Sequence, residues 1–322
     1  MSDTSPIATE PLYLRPGMSE AEAFTEFNKR NPYYHDIAER FVGFARMLHP
    51  KARRFLDLLP RTGYNADAIE RDVDVSSQIF LLEHRPSFIT FLEGKLGHAD
   101  YYQKLIKSAN LNELVGALAG IRNIDVILAC ETIAPFAPRY RELVQAAGRA
   151  ASERAVFGIT MGPSYHKFRR YNIANFRNGG TVGEGETMSE LSHPIHQAVH
   201  QELVLLAKER HGYDKNDAYP PAENAFNLAD LEKMNAEAGF PLTIVIEERF
   251  RVPGWVLHHY CQNGWTFYMR FGALLKLREE KPAEAIALLK EAIENVRAMP
   301  QYPAWCEVTA YHPVGYCFAL RG

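Results

Sequence analysis

The chain of 322 residues carries 36 Lys and Arg against 39 Asp and Glu, a formal charge of -3, and shows no basic stripe of the kind a nucleic-acid binder needs. Its 47% hydrophobic content suits a packed globule of one large or two modest domains. Cys130, Cys261, Cys306 and Cys317 form no C-x-x-C pair, which argues against a disulfide scaffold and a thiolate zinc site and leaves twelve His as the unusual feature.

In chain order, residues 1–18 read as a flexible arm with Pro6, Pro11 and Pro16, and no signal peptide is visible. Ser19 with Glu22 three positions later has the spacing of a capping box at a helix start. The run YYHDIAERFVGFARMLHPKARRFLDLLP places Ile37, Phe41, Phe44 and Ala45 at helical intervals. SSQIFLLEHRPSFITFLEGKL is apolar all round and predicts a buried helix, kinked at Pro86 near His84. NLNELVGALAGIRNIDVILACETIAPF predicts a second long buried helix, and YRELVQAAGRAASERAVFGI a third with an end that could be extended. MGPSYHKFRRYNIANFRNGGTVGEGETMSELSHP mixes basic residues, Asn and five Gly between 162 and 185 and reads as a structured loop after a short helix. HPIHQAVHQELVLLAKERHG predicts a helix closed by Gly212. FPLTIVIEERFRV is the one convincing strand. An aromatic-rich helix from Pro253, an amphipathic helix EAIALLKEAIENVRAM and an apolar tail follow. No stretch approaches the roughly 18 apolar residues of a membrane span. The expected fold is mainly α: a multi-helix bundle, one catalytic domain over 19–322, with at most a minor β element.

Four constellations could carry chemistry. His193, His196 and His200 share one helix face, and Glu190 adds a Glu-x-x-His spacing of the kind used in di-iron bundles. The same histidines would also serve as loop caps or face solvent. In WVLHHYCQNGWTFYMR, His259 projects from an aromatic wall with Trp255, Trp265 and Phe267, which suits an axial haem ligand. A core histidine within an aromatic cluster is the other reading. Arg169, Arg170 and Arg177 precede Gly179 and Gly180, offering guanidinium forks and open backbone to a carboxylate, unless they are solvated surface Arg. There is no G-x-G-x-x-G and hence no sign of a dinucleotide site. Finally, Glu83-His84-Arg85 interrupt the most apolar segment; such groups must be paired or face a cavity, where His84 would act as a distal acid or base.

In order and spacing, these pieces resemble the haem-dependent tryptophan dioxygenase superfamily, which includes bacterial haem-dependent aromatic amino-acid hydroxylases. The resemblance rests on His84, on Phe168-Arg169 ahead of Gly179-Gly180, and on Phe250-Arg251 followed by Trp255 and His259. It implies haem b held by His259; on the residues alone, His196 is the competing ligand. The resemblance further implies a substrate carboxylate bound by Arg169 and His84 as catalytic proton carrier; Arg170, Arg177 and Gly180 join the carboxylate site on the reading of the residues alone. The expected function is therefore a haem-dependent oxygenase or hydroxylase of secondary metabolism, acting on an amino-acid-like aromatic with dioxygen or peroxide. It would be cytoplasmic, without nucleic-acid or membrane partners, and a homodimer is left open. The alternatives are a non-haem (di)iron oxygenase of haem-oxygenase-like fold, with Glu190 and His193 as ligands, and a non-catalytic helical ligand-binding protein.

Overall fold

The computed structural model describes residues 18–19, 21–22, 24–25, 33–71, 78–96, 102–107, 111–130, 140–161, 193–212, 228–253, 277 and 281–322. The chain divides into two compact units. One comprises Met1–Asn31, Ile173–Pro221 and Arg249–His312; the other comprises Pro32–Asn172, Ala222–Glu248 and Pro313–Gly322.

Helices and strands alternate along the chain as far as residue 161. They begin with α1 (Tyr33–Leu48), β1 (Arg54–Leu58), α2 (Tyr64–Glu70), β2 (Gln78–Glu83), α3 (Pro86–Leu96) and β3 (Tyr102–Lys107). Next come α4 (Leu111–Gly120), β4 (Ile124–Ala129), α5 (Tyr140–Ala150) and β5 (Ala151–Met161). The remainder is α6 (Pro194–His211), α7 (Leu228–Glu237), β6 (Leu242–Pro253), α8 (Pro282–Arg297), α9 (Tyr302–Cys306) and β7 (Thr309–Leu320). The strands form one sheet in the order β3-β2-β1-β4-β5-β7-β6. Neighbours from β3 through β5 pair in parallel, and β7 lies antiparallel to β5.

This architecture overturns the expected mainly α bundle. The segments read as long helices divide: α1 gives way to β1, β2 to α3, and α4 to β4, while the end of the third segment that could be extended is β5. The physical reason is burial on both faces. Central parallel strands lie between two helix layers and so become continuous apolar runs, which periodicity alone does not separate from a buried helix. Ile79 through Glu83 are all buried, as are Phe55 through Leu58. The break points are physical too. Pro86 opens α3 instead of kinking a longer helix, and Asn123, at φ 59°, turns the chain between α4 and β4.

Alternation along the strands builds two apolar layers. Leu56, Leu58, Phe80, Leu82, Ile127 and Phe157 pack with α4, α5 and α7 on one face. On the other, Phe41 of α1 meets Phe318 with ring centroids 5.4 Å apart. Gly158 lies beneath them: a Cβ there would sit 2.9 Å from both rings, so the close approach needs glycine. At the amino ends of the strands, Asp125 accepts from the backbone N–H of Arg53 (2.9 Å) and Arg54 (3.1 Å) and from Ser152 Oγ (2.9 Å). That clasp aligns β1, β4 and β5 at the end of the sheet opposite the carboxyl ends.

The other unit has its own core, in which Ile195, Val199, Leu203 and Leu206 of α6 pack with Leu288, Leu289, Ala292 and Val296 of α8. The capping box forms as expected: Glu22 N–H donates to Ser19 Oγ (3.2 Å) and Ser19 N–H to Glu22 Oε2 (2.8 Å). Gly212 closes α6 at φ 69°, and the expected strand is β6.

Candidate functional site at the carboxyl ends of the strands

The strand order reverses beside β1: the chain moves outward through β2 and β3, then returns to place β4 on the other side of β1. In open α/β sheets such a switch point leaves a crevice outside the carboxyl ends of the strands, and ligands bind there. Three sequence features meet at those ends.

The first is the turn from β1 into α2. Leu59 N–H donates to Leu82 O (2.9 Å), and Gly63 N–H to Pro60 O (2.8 Å). Leu59 and Arg61 adopt φ values of 52° and 54°, a left-handed conformation that costs side-chain-bearing residues energy. Gly63, at φ 85°, is the N-cap of α2 without that cost. From α3, Lys95 Nζ donates to Thr62 O (2.9 Å) and to Asp67 Oδ2 (2.6 Å), which fixes the turn from outside.

The second is the last residue of β2. Glu83 is fully buried. Its Oε2 accepts from Arg61 N–H (3.2 Å), and its Oε1 accepts from the N–H groups of His84 (2.9 Å) and Arg85 (3.1 Å). Arg85 closes on the same carboxylate through Nε (3.3 Å) and Nη2 (3.4 Å). One side chain thus ties the ends of β1 and β2 together.

The third is a buried polar group under the turn. Asn65 Nδ2 donates to Asp57 Oδ1 at 2.9 Å, and both residues lie inside the protein. Asp57 Oδ2, Thr62 Oγ1 and Asn65 Oδ1 are buried with no hydrogen-bond partner among the described residues. Burial pushes the Asp57 carboxyl up to about 7, against the stabilising Asn65 bond, and the charges of Glu83 and Asp67 push the same way as burial.

The sequence-predicted residues scatter with respect to this end of the sheet. His84 stands at it, directly after β2, with Nδ1 3.4 Å from Glu83 Oε1. Arg169, Arg170, Arg177, Gly180, Glu190 and His259 lie outside the described residues, and His196 lies in α6 with its side chain outside them. His193 does not lie within a helix as expected; it is the N-cap of α6. Its Nδ1 accepts from Ile195 N–H (3.2 Å), and its Nε2 lies 3.1 Å from Val308 O. Both ring nitrogens are used, and burial lowers its pKa, so it is a neutral capping group and not a metal ligand.

The haem and iron expectations are corrected on these grounds. The implied family is a helical bundle with its haem between helices, whereas here His84 directly follows a strand of a seven-stranded sheet. The likeness to haem-dependent dioxygenases, the oxidoreductase activity, haem b, and dioxygen or peroxide as partners fall with that bundle. The non-haem iron alternative loses His193 to its cap, and no group of three metal-ligating side chains occurs among the described residues. The helical ligand-binding alternative fails on the sheet as well. No helix among the described residues is long and apolar enough to cross a membrane.

Sequence reasoning misses Asp57, Thr62 and Asn65. The available signal is an acidic residue near the end of each apolar run, FLDL and IFLLE, each followed at once by a proline-containing turn.

No protein-family model and no curated protein matches the chain. Among solved structures it is similar to an S-adenosylmethionine (SAM)-dependent methyltransferase from Archaeoglobus fulgidus, at 12% identity and a TM-score of 0.45, covering 92% of this chain and 98% of that one. It is also similar to a putative sarcosine dimethylglycine methyltransferase from Galdieria sulphuraria, at 13% identity and a TM-score of 0.42, covering 90% and 86%. The plantazolicin methyltransferase BpumL in complex with SAH matches at 10% identity and a TM-score of 0.42, covering 95% and 91%. Likeness at this level describes those proteins and carries no weight for this one.

Proposed function

We propose that the chain is a methyltransferase that takes S-adenosylmethionine at the carboxyl ends of β1, β2 and β4. The observation that carries this reading is Glu83, a buried carboxylate that ends β2 beside the switch point. It follows Gly63 by about 20 residues, the interval at which nucleotide-binding sheets place the acid that accepts from ribose hydroxyls. The rest of the turn argues for a nucleoside without a pyrophosphate. Leu59 and Arg61 carry side chains where a pyrophosphate would need bare backbone, and Asp57 and Glu83 add negative charge where it would sit. A cationic sulfonium nucleoside meets neither objection. The partnerless oxygens of Asp57, Thr62 and Asn65 fit polar groups of such a ligand.

When bound, this cofactor supplies an electrophilic methyl group on a positively charged sulfur. The chain's own contribution is to hold and orient. Glu83 accepts from the ribose hydroxyls, His84 lines the nucleoside beside it, and Asp57, when ionised, favours the positive charge. Arg169, Arg170, Arg177 and Gly180 are retained as the carboxylate-binding group for an amino-acid-like acceptor, on the chemistry of guanidinium forks beside glycine. A cytoplasmic placement belongs to the same reading, supported by free thiols at Cys130, Cys306 and Cys317.

Calorimetry with S-adenosylhomocysteine (SAH), the demethylated product, tests the proposal. SAH is expected to bind, and Glu83→Gln to weaken it about 10- to 100-fold, the worth of a charged hydrogen bond. A protein that binds NAD⁺ but not SAH at millimolar concentration overturns the reading.

A further inference from the structure

The carboxylate at the centre of the proposed cofactor site is already engaged. Among the described residues, Glu83 accepts from three backbone N–H groups, those of Arg61, His84 and Arg85, and its two oxygens also face the Arg85 guanidinium at 3.3 and 3.4 Å. These five donors fill the roughly four lone-pair positions that a carboxylate offers, one of them being shared. The guanidinium in turn lies 4.1 Å from the ring centroid of Phe88 in α3, so its plane is supported from one side. The three backbone donors belong to the turn and to the end of β2, and they move only if the sheet end moves. The Arg85 side chain moves by rotation alone.

A guanidinium presents two parallel N–H donors to a carboxylate, and a ribose diol presents two O–H donors to the same pair of oxygens. We propose that Arg85 is an internal occupant of the cofactor carboxylate, holding the place of the ribose diol until a nucleoside displaces it, and that it thereby sets affinity. The inference rests on the cofactor reading above. A diol replaces both donors that the guanidinium gives up. A 2′-deoxy sugar replaces only one and leaves a buried acceptor short, so displacement by it is disfavoured. The cost of displacing Arg85 is common to every nucleoside that displaces it, so Arg85 lowers their affinities by one factor.

The test uses the full chain and Arg85→Met, which keeps an unbranched stem beside Phe88, with SAH, adenosine and 2′-deoxyadenosine as probes in calorimetry. With its competitor gone, the variant is expected to bind SAH and adenosine each about tenfold more tightly, with its preference for adenosine over 2′-deoxyadenosine unchanged. Its ligand-free melting temperature falls, because a buried carboxylate has lost a partner. A merely structural role would lower stability and affinity together, whereas displacement moves them in opposite directions. If the native protein binds SAH and the variant binds it equally or more weakly, the inference is overturned and the cofactor reading stands. If neither protein binds SAH, the cofactor reading fails and takes the inference with it. Should Arg85→Met not fold, Arg85→Lys, which keeps the charge but gives up the fork, decides in the same way: tighter SAH binding supports the inference, and unchanged or weaker binding overturns it.

Discussion

Asp57 points to the α2 side of the sheet, where Asn65 supplies one hydrogen bond and burial takes its carboxyl up to about 7. An unfolded Asp releases its proton near pH 4. Between about pH 4 and pH 7 the folded chain thus holds a proton that the unfolded chain has lost, and this group's contribution to stability falls as pH rises through that window. His193 and His35, whose pKa values are lowered chiefly by burial, act oppositely: their contribution is lost as pH falls below the ordinary histidine value. The quantity to read is therefore the difference between the native protein and Asp57→Asn in urea denaturation. The variant is expected to gain on the native protein by at least about 1 kcal/mol between pH 5 and pH 8. A difference that stays flat with pH would show that Asp57 does not titrate in that range. Glu83 stands out in the sequence as a charge within an apolar run, and the demand that it be paired or face a cavity is met: it is paired with Arg85. Its neighbour His84 stands directly after β2 and before α3, not within the expected kinked helix.

At the scale of elements, the contrast between α6 and β2 shows what pattern can deliver. Helix α6 is legible because its ends carry local chemistry: His193 and Pro194 at the start, Gly212 in the left-handed region at the close. The run QIFLLE is not, because a strand covered on both faces has no polar side to reveal its period. The packing of α5 is equally hidden. Gly148 approaches the chain just beyond α7 so closely that a Cβ would lie 2.2 Å from the carbonyl oxygen of Ala238. That obstacle is backbone, which cannot rotate away as a side chain would. Gly148→Ala is expected to cost roughly 2–3 kcal/mol or more, read as a lower denaturation midpoint at unchanged slope. A midpoint within error of the native protein would mean that α5 and α7 are free to separate.

For the sheet as a whole, order predicts a gradient of stability. β1 and β4 are paired on both sides and buried on both faces, while β3 lies at an edge. Amide exchange is expected to be slowest in β1 and β4, requiring global opening, and faster in β3 by local opening. Equal protection in β1 and β3 would contradict that strand order. What the sequence by itself determined is local: composition without the basic stripe of a nucleic-acid binder, a capping box at Ser19, the closing glycine of α6, and the strand β6. These follow from contacts within a few residues and from the chemistry of single side chains. Only the tertiary structure decided that the apolar runs are strands, that β1 is flanked by β2 and β4, and that Asp57 and Glu83 meet at one end of the sheet. The reason is that strand pairing is made between segments distant in the chain, as Asp57 opposite both Leu81 and Leu128 shows, and no periodicity within either segment encodes its partner.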